Sequence, residues 1–140
     1  MRRILTLLLI VLFGSCDRGV DPNGSLYRTW RLVQTQVGQR IPQPTAFTER
    51  IIIEFRPNGQ ILYDRNGRDG ACCVPRRFES KGQVLIVDGS VGQPEYCNYA
   101  DIFCTDEYAY GSGEWTVIQV DANELVLQIG DKLLTHQPYL

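Results

Sequence analysis

The sequence predicts an all-β protein: an eight-stranded antiparallel up-and-down barrel, with a two-sheet β-sandwich as the alternative. Three observations lead there. Short segments alternate apolar and polar residues with a period of two. Turn-forming Gly, Asn and Asp residues separate them at close intervals. No stretch of the exported part keeps a helical period for more than a few residues. Consecutive antiparallel strands this short close most economically into a barrel, which leaves no exposed edge.

Leu26 to Gln36 places Leu26, Trp30 and Leu32 on one parity and Thr29, Arg31 and Thr35 on the other, and forms the first strand. Thr45 to Arg50 reads as a helical turn. Arg50 to Arg56 sets Ile51, Ile53 and Phe55 on one face, Pro57-Asn58-Gly59 turns the chain, and Gln60 to Arg65 returns as a hairpin. After a turn over residues 65–70, Cys73 to Ser80 and Gln83 to Asp88 pair around Lys81-Gly82. Asn98 to Tyr108 allows a short helix within a long connection. Glu114 to Val120, Glu124 to Ile129 and Lys132 to Gln137 complete the set, with turns at Asp121-Ala122-Asn123 and Gly130-Asp131.

The N-terminus concerns location. Arg2 and Arg3 precede an apolar run from Ile4 to Phe13, which stops at Gly14-Ser15. Such a run is too short to span a bilayer, which takes about 20 apolar residues, and has the layout of a secretory signal. Leu12-Phe13-Gly14-Ser15-Cys16 resembles the lipobox of bacterial lipoproteins, in which the cysteine is acylated and becomes the new N-terminus. Three parts are therefore expected: a signal peptide over 1–15, lipidated Cys16 with a polar stalk over 16–25, and the barrel over 26–140. The expected place is the bacterial cell envelope, with the outer membrane favoured over the inner. The membrane is a partner there through acyl chains, which anchor firmly only when more than one is attached.

Removing Arg2 and Arg3 from the 14 basic side chains leaves 12 against 16 acidic ones, a net charge near −4. That argues against nucleic acid as a partner. Arg28 to Lys81 holds ten basic and five acidic residues, whereas Asp88 to Asp131 holds nine acidic and no basic ones; mutual neutralisation across the folded sheet is expected. Four cysteines remain after Cys16. In an oxidising compartment Cys72, Cys73, Cys97 and Cys104 read as two disulfides. Neighbours point opposite ways on an extended chain, so Cys72 and Cys73 are each expected to pair with one of Cys97 and Cys104. Zinc is disfavoured because the usual C-x-x-C spacing is missing; no metal and no cofactor are expected.

The Trp30 strand, the F-x-x-x-G hairpin of Phe55 to Gly59, the paired cysteines, W-x-V at Trp115 to Val117 and L-x-L at Leu125 to Leu127 together resemble bacterial lipocalin-like lipoproteins. Arg28 stands where lipocalins carry Gly, and their later T-D-Y and arginine motifs are missing. The resemblance implies a fold and a small hydrophobic ligand within it. Trp30, Ile53, Phe55, Trp115, Val117, Leu125 and Leu127 would line the barrel interior, since eight strands leave room for at most one small ligand.

No catalytic residue is expected. A nucleophilic triad needs a histidine base, and the one histidine, His136, reads as an ordinary strand residue four positions from the end. Gly111-Ser112-Gly113 precedes a strand and is not the elbow of a hydrolase. Asp106-Glu107 reads as a solvated acidic pair, and Asp64 to Gly70 has calcium-loop residues out of step. The segment Glu95 to Trp115 is unusual, with four tyrosines among five acidic residues. Tyr96, Tyr99, Tyr108 and Tyr110 suit a recognition loop for an envelope protein or glycan; equally, the loop's aromatics could plug one end of the barrel.

Overall fold

The computed structural model describes residues 22–47, 49–65, 74–88, 108 and 113–140. A four-residue helix, α1 (Pro22–Ser25), leads into β1 (Thr29–Val37), and a two-residue strand, β2 (Gln43–Pro44), follows. Then come β3 (Ile51–Phe55), β4 (Ile61–Arg65), β5 (Arg77–Lys81), β6 (Val84–Asp88), β7 (Gly113–Val120), β8 (Leu125–Ile129) and β9 (Lys132–Pro138). The sheet order is β4-β3-β1-β9-β8-β7-β6-β5, with every named pairing antiparallel and β2 lying on β1. The strands thus follow one another around an up-and-down barrel, and β1 closes it against β9.

Alternation decides the inside. On β1 it buries Trp30 and Leu32, on β3 Ile51, Ile53 and Phe55, on β4 Ile61 and Tyr63, and on β8 Leu125, Leu127 and Ile129. Ladder registers slip at Leu32/Gln34 on β1 and at Val117/Gln119 on β7. Bulges of this kind add local twist and bend, which a small closed sheet needs.

Between β4 and β5 the sheet meets along a narrow seam. Gln60 bridges Arg77, the Ile61 amide donates to the Arg76 carbonyl at 2.9 Å, and the Phe78 amide donates to the Gly59 carbonyl at 2.9 Å. Gly59 has φ of +78°, and a Cβ added there would stand 2.8 Å from the Phe78 carbonyl oxygen. Only glycine meets both demands. The Phe55 and Phe78 rings cross the same seam edge to face, with centroids 5.4 Å apart.

The two ends of the barrel differ. Hairpin turns at 56–60, 81–84 and 121–124 gather at one end, the base, together with both described chain ends, where the Tyr139 amide donates to the Thr29 carbonyl at 3.0 Å. Leu26 is fully buried there, and its carbonyl accepts from Trp30 Nε1 at 3.0 Å. Arg28 lies over the Trp30 ring at 5.4 Å and donates to the Ala122 carbonyl at 3.0 Å, so it ties the first strand to the β7–β8 turn. At the opposite end, the mouth, Gly38 bonds Asp131, and Arg65 stands opposite Ile51. The longer connections, 38–50, 66–76 and 89–112, leave from strand ends at the mouth.

The expected strands are all present, with β5 beginning at Arg77 rather than Cys73. β2 is an addition to the expected set. Thr45 to Arg50 contains one closed turn, Glu49 amide to Ala46 carbonyl at 2.8 Å. Charge neutralisation is partly local: Arg50 pairs with Asp64, Arg56 with Glu54 and Arg65 with Glu49, all inside the basic stretch.

Candidate functional site

The seven residues expected to line the interior do lie there, within one continuous apolar cluster. None is more than 1% exposed, so these side chains pack against their surroundings and leave no water-sized space beside them. Open grooves lie elsewhere. One of about 690 Å³ runs beside Thr35, Val37, Arg40 and Ile41 at the mouth, and one of about 270 Å³ beside Ile52, Glu54 and Leu62 on the outer face. Ile41 and Phe47, on the 38–50 connection, are 80% and 95% exposed.

Two polar side chains, His136 and Tyr108, meet inside the barrel. His136, on β9, is fully buried because it shares the inward parity of Leu134. Its Nδ1 lies 3.1 Å from the Leu125 carbonyl and its Nε2 lies 2.5 Å from the Tyr108 hydroxyl. A carbonyl only accepts, so Nδ1 carries the proton and Nε2 accepts from the tyrosine. Burial pushes the His136 pKa down to about 4, against the opposing effect of backbone bonds from Leu125 and Leu134. The ring is neutral at pH 7.

Tyr108, expected either as a recognition residue or among loop aromatics that plug one end of the barrel, sits in the core with no exposed surface, as the second expectation has it. Its ring is edge-on to Tyr63 at 5.6 Å, tilted against Trp115 at 5.7 Å and stacked on His136 at 6.0 Å. An aromatic face and a hydroxyl that finds an acceptor make burial favourable there. Trp115 is 1% exposed, and its indole Nε1 has no hydrogen-bond partner among the described residues. The pattern that could have signalled this cluster is the parity of His136 with Leu134; nothing in the sequence marks Tyr108 among its neighbouring tyrosines.

Cys16, Cys72, Cys73, Cys97, Cys104, Tyr96, Tyr99 and Tyr110 lie outside the described residues, as do the Asp106-Glu107 pair and most of the Asp64 to Gly70 turn. Among the described residues no group of His, Cys, Asp and Glu is placed to hold a metal ion, and no helix is long and apolar enough to cross a membrane.

No family model matches the chain, and no curated protein is similar to it in sequence. Two solved structures are similar in form. A lipocalin-like protein from Bacteroides uniformis is 14% identical, with a TM-score of 0.44, over 83% of this chain and 100% of that one. An uncharacterized protein from Bacteroides eggerthii is 10% identical, with a TM-score of 0.44, over 81% of this chain and 98% of that one. The fold rests on this chain's own strand order. It is the eight-stranded antiparallel up-and-down barrel that the sequence predicts, with the short β2 added at one edge.

Proposed function

We propose that this chain is a lipid-anchored envelope protein whose barrel takes up a small hydrophobic ligand and performs no catalysis. One observation carries the binding reading. The apolar interior encloses a polar pair, His136 and Tyr108, and Trp115, whose ring lies against Tyr108, has a buried Nε1 with no hydrogen-bond partner among the described residues. Binding sites for small molecules combine apolar walls with a few fixed polar groups of this kind, whereas a buried donor left unpaired costs about 1–3 kcal/mol. With the interior side chains packed, the ligand enters by displacing a side chain.

The contacts of His136 support the reading without catalysis. One ring nitrogen is committed to the Leu125 carbonyl and the other to Tyr108, and burial holds the ring neutral. A general base must reach its substrate's proton, and this ring reaches only its own barrel.

The layout of the barrel suits a tether. With β1 starting at the base, acyl chains on Cys16 and a stalk over 17–25 would hold the base toward the membrane and the mouth away from it. The connections carrying Cys72 and Cys73, and Cys97 and Cys104, both leave from mouth ends of strands, which favours disulfides joining one to the other.

Native mass spectrometry on protein purified from its own envelope tests these readings together. It should report acyl chains on Cys16, two disulfides and a retained small molecule. Delipidated protein should bind the neutral fluorophore N-phenyl-1-naphthylamine saturably. Failure of both the retained molecule and the fluorophore would refute ligand binding, and a Cys16→Ser chain that still sediments with membranes would refute the anchor.

A further inference from the structure

An open wall rises at the mouth, above the packed interior. β1 and β2 form a hairpin there: Thr35 lies opposite Gln43, and the Arg40 amide donates to the Val37 carbonyl at 3.1 Å and closes the turn. Thr35 also lies opposite Leu134, which is fully buried, so the face that carries Thr35 is the inward one. Val37, Ile41 and Gln43 share its parity, and with Gln39 and Arg40 they line the groove of about 690 Å³. Lower on this face the side chains are sealed in the core, whereas Ile41, at the top, is 80% exposed. We propose that this groove is a binding site separate from the interior, and that its ligand is a single unbranched acyl chain with an anionic head. The site goes beyond the proposed function and does not rest on it, because no interior side chain has to move.

Each part of that chemistry follows from a named group. The groove falls within the range of about 300–1,000 Å³ that small-molecule sites occupy. Its apolar part is a strip formed by the Thr35 methyl, Val37 and Ile41, along which a linear chain can lie, since one face of a strand repeats every two residues, roughly 7 Å. The wall is two strands wide, which suits one chain and not a pair. Gln43 Nε2 donates to the Ile41 carbonyl at 3.0 Å and stiffens the strip. Charge decides the head. Arg40 is the one charged residue in the lining, and no acidic side chain accompanies it. Among the described residues the Arg40 guanidinium joins no ion pair, whereas Arg50, Arg56 and Arg65 are each held by a carboxylate. A guanidinium presents a fork that matches an anionic oxygen pair and repels a cation.

The experiment uses the full chain, labelled with nitrogen-15, and four dissolved probes kept below their aggregation concentrations: dodecanoate, decanoate, dodecanol and dodecyltrimethylammonium. Titrations run at about pH 8, where a carboxylate is ionised. Dodecanoate should move the amide resonances of Val37, Gln39, Arg40 and Ile41 and leave the indole resonances of Trp30 and Trp115 in place. It should bind about fivefold more tightly than dodecanol, as one charge-assisted contact at a surface gives, with the ammonium weakest. Decanoate should be about fourfold weaker than dodecanoate, about twofold for each methylene lying on a half-open wall. Arg40→Gln should bring dodecanoate down to the affinity of dodecanol, and Ile41→Ser should weaken every probe at least threefold. Both substitutions fall on exposed side chains, so the fold is kept. Equal affinity for the three head groups, resonance changes centred on the indoles, or unaltered affinity in both variants would overturn the inference. So would sedimentation with phosphatidylglycerol vesicles in the absence of binding to dissolved dodecanoate. If N-phenyl-1-naphthylamine binds the Ile41→Ser chain normally under those outcomes, uptake by the interior survives and only the groove falls. If dodecanoate behaves as expected while the fluorophore fails to bind, the groove stands and interior uptake falls.

Discussion

The Tyr108 hydroxyl and His136 Nε2 lie 2.5 Å apart inside the barrel, joining a residue of a long connection to the final strand. Their bond makes the last strand and the mouth depend on each other. Replacing Tyr108 by Phe keeps the ring and removes the donor, leaving a buried nitrogen without one. We expect a loss of about 1–3 kcal/mol, read by urea denaturation, with the strand signal in circular dichroism unchanged.

The same histidine predicts an acid dependence. Its pKa is about 4 in the fold against an ordinary 6.5, so the unfolded chain binds the extra proton between those values. Stability is therefore full above pH 6.5 and falls as the pH drops toward 4, by about 3 kcal/mol in all, an order-of-magnitude figure. Denaturation midpoints measured from pH 7.5 to 4 should show this slope. His136→Gln should flatten it, and an unchanged slope in that variant would assign the effect to other groups.

At the seam, Gly59→Ala combines a left-handed φ with a Cβ 2.8 Å from the Phe78 carbonyl oxygen. A cost of about 1–3 kcal/mol follows from the backbone alone. Hydrogen exchange should identify the site, since the Phe78 amide, bonded to the Gly59 carbonyl, should lose protection more than amides in β8.

A paired comparison tests the assignment of inside and outside. Leu127 is fully buried and Phe47 is 95% exposed. Leu127→Ala should cost about 2–5 kcal/mol, while Phe47→Ser should stay within about 0.5 kcal/mol. Thermal melts of the two variants suffice.

Much of this fold was legible in the chain. Alternation located Trp30, Ile53, Phe55, Trp115, Val117, Leu125 and Leu127 inside because a pleated strand has a strict period of two. β2 was not legible: Gln43 and Pro44 are two exposed residues with no alternation to read, and their pairing with Gln34 and Thr35 is decided by the path of the chain. The seam was equally hidden, since it depends on how far β5 slides past β4 until Phe78 meets Gly59. For the candidate site the division is sharper. His136 follows Leu134 at inward parity and could have been placed, whereas Tyr108 belongs to no periodic segment. Its burial is a tertiary event, made by rings contributed from β4, β7 and β9.

The meeting of Tyr139 with Thr29 at the base has a practical corollary. The first and last strands of the barrel start and end side by side, so a fluorescent reporter joined at Leu140 would emerge beside the start of the first strand, and the proposed tether through Cys16 would put that end toward the membrane. A tag meant to leave the opposite pole unobstructed belongs there, and one meant to keep its distance from a bilayer belongs in the Gly130-Asp131 bend.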